Sequence, residues 1–340
     1  MDWRHGMNWD QGFTAAYHAC LVDPVTWADI EPFDIGGGTI NRTSTGLRQS
    51  ADIECIDYSH GTDKWIRLWM DVRQNGSADH IALFTGLTSS PEKQIDGALS
   101  EMTVQCYSVL KPAKDVLLPR GWFAAKGYIG AEIAGQLLSV GPAPVVVEPE
   151  SPRLSEYIVA ENGETNLSMA EKILDAIGWR LRILGDGTII ICPKANEESA
   201  EFSALRHDQI EPKVKVKEDW FDCPNVFRAV SDEESYTAYD NDPESTLSVE
   251  SRGREVWKEE TSVNLNDGES LASYAKRRLR ELQAISTEIS YSRSYNPDVL
   301  VTDRIRLHYP AQDLSGIFVV MSQSISLDAC ATTAEEVSAA

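Results

Sequence analysis

The chain has 340 residues, with 31 Lys and Arg against 53 Asp and Glu, so its formal net charge is −22 and its pI is near 4.6. Hydrophobic residues make up 42% and charged residues 25%, the proportions of an ordinary globular protein, which excludes a wholly disordered chain. Charges interrupt every apolar stretch well before the ~18 residues that span a bilayer, so we expect no transmembrane helix.

The N-terminus and the cysteines indicate the cellular compartment. The first residues lack an apolar core and a small-residue cleavage site, which predicts synthesis in the cytoplasm without a signal peptide. The six cysteines contain no C-x-x-C pair, so we expect reduced and mostly buried thiols. The acid excess disfavours tight binding of nucleic acid, because affinity for phosphate comes from Lys and Arg. It is compatible with a protein that nucleic acid passes without adhering.

Residues 1–111 are predicted to form a β-rich antiparallel domain, with residues 1–50 extended and rich in loops. In 64–73, apolar residues alternate with polar and aromatic ones, which predicts a strand with one face in a core. The other face of this strand carries Trp65, Arg67, Trp69, Asp71 and Arg73. Asn75-Gly76 then predicts a tight turn into a second strand.

Residues 112–205 are predicted to form a separate, small α/β domain of two helices and a hairpin. Apolar residues recur at helical spacing in 128–139 and again in 165–178, where Gly178 suits the end of the helix. The run Gly185-Asp186-Gly187 between two apolar segments predicts the turn of the hairpin.

Residues 206–328 are predicted to form a second β-rich domain with one helix, and 329–340 a disordered tail of small and polar residues. Lys213, Lys215 and Lys217 alternate with valines, which predicts an edge strand whose charges oppose association with other edges. One amphipathic helix and three closing strands follow.

The sequence contains no recognisable catalytic constellation. It has no Gly-Lys dipeptide of a phosphate-binding loop, no G-x-S-x-G nucleophile elbow and no H-E-x-x-H. We therefore expect no catalytic residue, no cofactor and no essential metal, and we predict that the protein is not an enzyme.

Two sets of residues are weak candidates for binding a metal. Asp240, Asp242 and Glu244 offer clustered oxygens for calcium but lack the D-x-D-x-D-G spacing, so an acidic solvated turn is the favoured interpretation. His18 and Cys20 would face the same side of a strand. They would need two further ligands for a zinc site, so plain packing is favoured.

Two other features leave alternatives open. The basic run at 276–280 suggests phosphate contact, but its leucine spacing favours the polar side of an amphipathic helix that pairs with carboxylates. Trp65 and Trp69 on one strand face suit a sugar-stacking surface and a subunit interface equally well.

Three stretches of the sequence resemble one family of proteins. The first, within 161–193, is NLSMAEKILDAIGWRLRI followed by LGDGTIIICP. The second is PNVF at 224–227, followed by YTAYDNDPESTLSVESRGR. The third is KRRLRELQA, then NPDVLVTDRIRLHYP and GIFVVMSQSISLD. In this order they resemble the phage baseplate hub and tail-tip hub proteins, which are related to the hub of type VI secretion spikes.

The resemblance implies a mainly β fold with an α+β insert. In this family, two tail-tube-like antiparallel β-barrels flank a small helix–helix–hairpin domain. The likeness covers 160–328 well and 50–110 only by texture. The PNVF stretch is similar to the start of the second barrel, and Pro297, Val301 and Asp303 are similar to the family's closing turn.

The resemblance also implies a function. Three chains would form a pseudo-sixfold ring between a sixfold tail tube and a threefold spike, as a homotrimer in the virion at the tail baseplate or tip. The implied partners are tail tube or distal tail proteins, the spike or tip protein and the tape-measure protein, with DNA passing through the lumen without specific binding.

Two other classes of protein stay open at this point. The first alternative is a β-rich carbohydrate-binding or glycan-hydrolysing protein with acidic site residues, since any pair of carboxylates could meet in space. The second is an adhesin-like assembly module, which shares the strands but does not explain the helix–hairpin insert.

Overall fold

The computed structural model describes residues 7–9, 11–55, 58–96, 99–194, 197–206, 210–218, 220–231, 234–261, 263, 270–283, 287–312 and 314–339. The chain divides into two compact units. The first consists mainly of Met1–Val214 and Ser290–Ser338, and the second of Lys215–Ile289. Strands account for 47% of residues and helices for 15%, so the expected mainly β fold is confirmed.

Eight antiparallel strands form the first third of the chain. They are β1 Thr14–Val22, β2 Asp29–Asp34, β3 Gly37–Thr43, β4 Gln49–Cys55, β5 Trp65–Gln74, β6 Ser77–Thr88, β7 Glu92–Asp96 and β8 Leu99–Ser108. On β5 the alternate residues Ile66, Leu68, Met70 and Val72 are all buried, as the alternation predicts. The β5–β6 turn is Asn75-Gly76, and both residues have positive φ, the backbone that a two-residue hairpin turn requires.

Three helices and five short strands follow. They are α1 Lys111–Asp115, β9 Phe123–Ala124, α2 Gly130–Leu138, β10 Val145–Val147, β11 Ile158–Val159, α3 Asn166–Ala176, β12 Trp179–Ile183 and β13 Ile189–Pro193. Helix α3 begins where the Thr165 hydroxyl accepts from the Ser168 amide in a capping box. Helices α2 and α3 and the hairpin β12–β13 form as the sequence predicts, and Trp27 and Trp65 of the preceding region pack against the apolar core that they share. Strand β10 adds to β13 in parallel, which the sequence did not indicate.

The remaining elements complete the chain. They are β14 Glu198–Ser203, β15 Ile210–Glu218, β16 Val226–Val230, β17 Ser235–Tyr239, α4 Val249–Arg252, β18 Trp257–Thr261, α5 Leu271–Gln283, β19 Thr287–Arg293, β20 Arg304–Tyr309, β21 Leu314–Ser326 and β22 Thr333–Ala339. None of the helices in the described part of the chain has the length and apolar character that crossing a bilayer requires.

One large sheet joins strands from both β-rich regions. Among the described residues it has 14 strands, in the order β15-β19-β22-β21-β3-β4-β8-β6-β5-β1-β2, with β7, β14 and β20 paired beside this path. The two regions meet where β21 pairs antiparallel with β3, so that Ile325 lies opposite Ile40. Both isoleucines are fully buried, which places the junction in the core.

Residues 333–339 form a strand, so the prediction of a disordered tail at 329–340 is wrong. Strand β22 lies between β19 and β21 in the large sheet. Its alternate residues Thr333, Glu335 and Val337 are each at most 1% exposed. The segment has a period-two pattern of buried and exposed residues. One of its buried positions is a glutamate and most of the other residues are small or polar, so the composition suggested disorder.

The second unit has a three-stranded sheet of its own, in the order β17-β16-β18. Helix α5 packs on it through Leu271, Ala275 and Leu279, which share a core with Phe227 and Ala229. The sequence analysis assigned this segment to one β domain spanning 206–328, and took 224–227 as the start of its barrel. The structure differs, because β16 is the centre of this small sheet and pairs with β18 in parallel.

The reactivity of the six cysteines tests which side chains are buried. Five of the six cysteines are buried and Cys330 is exposed, which confirms the expectation of mostly buried thiols. Burial raises the pKa of Cys55 to about 11 and also raises that of Cys106. Because the thiolate is the reactive form, we expect Ellman's reagent to titrate one thiol quickly in the native protein and six after unfolding. Cys330→Ser should abolish the fast phase, and a second fast thiol would contradict the buried assignments.

Candidate functional site

The outer face of strands β1, β5 and β6 carries a connected set of polar side chains. On β5, Arg67 Nη1 donates to Asp29 Oδ1 at 2.7 Å, and Trp69 Nε1 donates to Asp29 Oδ2 at 2.8 Å. The Arg67 guanidinium also lies 5.8 Å from the centre of the Trp69 ring. The face that the sequence predicted for β5 is therefore confirmed, and its members contact one another.

Asp71 lies between two histidines on this face. His18 Nδ1 is 3.1 Å from Asp71 Oδ2, and His80 Nδ1 is 2.7 Å from Asp71 Oδ1. The two imidazole rings stack at 5.3 Å, and the Trp69 ring stacks on His80 at 4.0 Å with an interplanar angle of 13°. The sequence analysis considered His18 with Cys20. The structure instead brings His18 to Asp71 and His80, and Cys20 is not part of the group.

The turn of the β12–β13 hairpin docks on the same part of the sheet. Thr85 Oγ1 donates to the Gly185 carbonyl at 2.7 Å. The Asp186 carbonyl accepts from Trp27 Nε1 at 3.0 Å and from Arg67 Nη2 at 3.2 Å. A Cβ at Gly185 would overlap the backbone carbonyl of Ala82, so only glycine allows this close approach.

A second contact fixes the hairpin on its other side. Asp303, only 2% exposed, accepts from Arg180 Nη1 at 3.1 Å and from Arg182 Nη2 at 3.0 Å. The Asp303 carboxylate also accepts from the Leu300 amide at 3.0 Å, which fixes the turn before β20. Asp303 is one of the residues in the stretch that resembles the family's closing turn, and here it joins that turn to the insert.

A buried ion pair joins β22 to the neighbouring strand β19. Glu335 and Arg293 have side chains that are 0% exposed, and Arg293 Nε donates to Glu335 Oε2 at 2.9 Å. Glu335 also accepts from the Tyr291 hydroxyl and, at 2.7 Å, from Gln323 Nε2. Burial, with the Glu335 carboxylate adding to it, raises the pKa of Tyr291 well above its usual value, so this hydroxyl stays protonated and donates. Burial opposes the charge on Arg293, but Glu335 outweighs it and the pKa of Arg293 is raised.

Asp240, Asp242 and Glu244 lie in the turn after β17. Asp240 Oδ2 accepts from Ser245 Oγ at 2.6 Å and from Gln283 Nε2 at 2.9 Å. Asp242 Oδ1 accepts from the Glu244 amide at 2.9 Å. The carboxylates of Asp240 and Asp242 therefore stabilise this turn. In the described part of the chain, the one group of three or more His, Cys, Asp or Glu side chains with metal-ligand spacing is His18, Asp71 and His80.

Two arginines of the basic run on α5 pair with carboxylates, as the leucine spacing favoured. Arg277 and Arg278 contact Glu281 at 2.7 Å and 3.0 Å. Arg278 also contacts Glu260 on β18 at 3.0 Å. Its guanidinium is thus used within the second unit, which supports the structural interpretation of this run.

The two ends of the large sheet carry opposite charges. At one end, β2 exposes Asp29, Glu31 and Asp34. At the other end, β15 exposes Lys213, Lys215 and Lys217. Edge strands present unpaired backbone groups, so these two oppositely charged strands are candidate surfaces for association with another chain.

The fold is similar to that of solved tail proteins. The tail protein from Neisseria meningitidis MC58 superposes with a TM-score of 0.67 at 15% identity, over 96% of each chain. The 43 kDa tail protein of prophage MuSo2 from Shewanella oneidensis gives 0.64 at 12% identity, over 96% of this chain and 97% of that one. A chain of the Francisella PdpA-VgrG complex gives 0.56 at 8% identity, over 97% of this chain and 58% of that one.

No protein-family model matches the chain, and no curated protein matches it. The structural likeness to two tail proteins and to a chain of a PdpA-VgrG complex agrees with the resemblance of the three sequence stretches.

Proposed function

We propose that this protein is a structural hub of a phage or phage-derived tail. The observation that carries the proposal is the likeness to two tail proteins over nearly the whole length of all three chains. Its place would be the baseplate or tip of the virion, between the tail tube or distal tail proteins above and the spike or tip protein below. The polar clusters around Asp71, Asp303 and Glu335 hold strands and turns together, which suits a structural and non-catalytic part.

The opposite charges of β2 and β15 support a head-to-tail ring. A cyclic homotrimer requires a heterologous interface, in which two different surfaces of each chain meet and the rotation closes. An acidic edge strand of one chain beside a basic edge strand of the next gives complementary potentials and covers both exposed edges. Three chains joined in this way would adapt a sixfold tube to a threefold spike.

We expect light scattering after size exclusion to give a mass near three chains. Charge reversal at β15 with Lys213→Glu and Lys215→Glu should place like charges across the interface and shift the protein to the monomer. Adding Glu31→Lys and Asp34→Lys on β2 should restore the trimer, because complementarity returns with the signs exchanged.

Lys126→Glu is the matched control, since Lys126 is exposed and lies outside both edge strands. It should leave the mass unchanged. A twofold-symmetric dimer in the assembled tail would contradict the proposed ring, and so would a trimer that survives charge reversal at β15.

We infer that DNA and the tape-measure protein pass through the ring without specific binding. A channel wall with few exposed Lys and Arg does not release counterions from phosphate, so the DNA backbone stays mobile. An acidic wall also repels the DNA backbone, and screening over about 8 Å at physiological salt limits this repulsion to DNA close to the wall. The net charge of −22 supports this inference. An electrostatic map of the assembled ring tests it, and a predominantly positive channel would contradict it.

A further inference from the structure

The triad of His18, Asp71 and His80 offers three metal-ligand atoms within 4.8 Å of one another. Zinc bound at about 2.0–2.1 Å from each donor in a tetrahedron separates the donor atoms by roughly 3.3 Å. The two distances from imidazole nitrogen to carboxylate oxygen are 3.1 Å and 2.7 Å, so small shifts of the side chains would admit an ion. We propose that this triad is a binding site for a divalent first-row transition metal such as Zn²⁺, independent of the hub function.

The scaffold under the triad is rigid. The three residues stand on adjacent antiparallel strands, with β5 in the middle, where Asp71 lies directly opposite His80. On the other side of β5, His18 lies opposite Trp69. Three hydrogen-bonded strands fix the backbone positions of all three donors before any ion arrives, which is what an effective metal site needs.

Neighbouring side chains hold the His80 ring in place. Trp69 stacks on this ring, and the indole Nε1 of Trp69 donates to Asp29. Arg67, the cation beside Trp69, is paired with Asp29 at 2.7 Å, so its charge is compensated where an incoming cation would approach. Side chains that contact the ligating residues, without binding the metal themselves, commonly influence metal affinity.

The donor set indicates which ions the site takes. Two imidazoles and one carboxylate suit Zn²⁺, Co²⁺ and Ni²⁺, whereas Ca²⁺ and Mg²⁺ prefer oxygen donors alone. When the ion binds, each imidazole offers its Nδ1 lone pair and carries its proton on Nε2. The side chains are 27% exposed for His18, 47% for Asp71 and 48% for His80. Solvent or a side chain of another subunit can therefore supply the fourth ligand.

The metal adds to a cluster that is already ordered. Asp71 accepts hydrogen bonds from both histidines without an ion, so we expect chelation to leave the melting temperature unchanged. This separates the proposed site from a structural zinc centre, which unfolds when the metal is removed.

Isothermal titration of the untagged protein with Zn²⁺ tests the proposal, with Co²⁺ as a spectroscopic probe. We expect one ion per chain, and visible absorption bands typical of tetrahedral Co²⁺. His18→Gln and His80→Gln should each weaken Zn²⁺ binding at least about tenfold. His308→Gln is the matched control, because the Nδ1 of His308 contacts the Ser315 hydroxyl, and it should bind like the parent.

The melting temperatures of all variants in chelator should agree with that of the parent, which shows that the fold is intact. The proposal is overturned if the parent takes up no Zn²⁺ at millimolar concentration. It is equally overturned if either glutamine variant binds as tightly as the parent. In both cases the triad is a hydrogen-bonded surface cluster only.

Discussion

Replacing Glu335 with Ala should lower the free energy of unfolding by about 3–5 kcal/mol. The substitution leaves the Arg293 guanidinium charged, fully buried and without its carboxylate, and it removes the acceptor of Tyr291 and Gln323. The transfer of an unpaired charge into the core dominates this cost, because the lost hydrogen bonds contribute only about 1 kcal/mol each. Urea unfolding followed by tryptophan fluorescence measures the change.

Glu336→Ala is the matched control on the same strand. Glu336 is exposed and accepts from Ser322 Oγ, so its loss should change the free energy of unfolding by no more than ~0.5 kcal/mol. The double variant Glu335→Leu with Arg293→Met should recover part of the loss, because it removes both charges together. Equal effects of Glu335→Ala and Glu336→Ala would show that β22 does not have the buried face described above.

Gly185→Ala should destabilise the docked hairpin by about 3 kcal/mol. The new Cβ overlaps the Ala82 carbonyl, and overpacking against backbone costs about 1–3 kcal/mol. Relief of the clash moves the turn away and weakens the hydrogen bonds that Thr85 and Trp27 donate to it, at about 1 kcal/mol each.

Urea unfolding gives the size of the effect, and limited proteolysis shows whether the segment around β12 and β13 becomes accessible. Gly36→Ala is the control, because its Cβ would meet only the Glu54 carbonyl at an ordinary 3.7 Å. A Gly185→Ala protein as stable and as protease-resistant as the control would contradict the close approach of turn and sheet.

Local sequence patterns predicted the strands, helices and turns whose formation depends on residues close together in the chain. Alternation gave the buried face of β5, and the Asn75-Gly76 turn gave the hairpin that follows. The helix and hairpin of the insert followed from apolar spacing and turn residues. Strand β22 was missed because its inward position 335 is a glutamate, which is stable there only through Arg293, a residue 42 positions earlier.

The candidate site was predictable in part. A two-residue turn at 75–76 sets the register of β5 and β6, which places Asp71 opposite His80, and this pairing could have been read from the sequence. The approach of His18 could not, because the pairing of β1 with β5 spans more than 50 residues and no local signal specifies it. For this reason the sequence offered Cys20, its near neighbour along the chain, as the partner of His18.

The pairing of β3 with β21 has a consequence for biosynthesis. About 280 residues separate the two strands, and at 5–20 residues per second their synthesis is roughly 15–60 s apart. Until β21 arrives, β3 is an open edge, a template on which another nascent chain could add. Because β21 is made so much later than β3, the sheet closes within one chain more readily when a chaperone covers this edge. Slow expression at low protein concentration favours the same outcome.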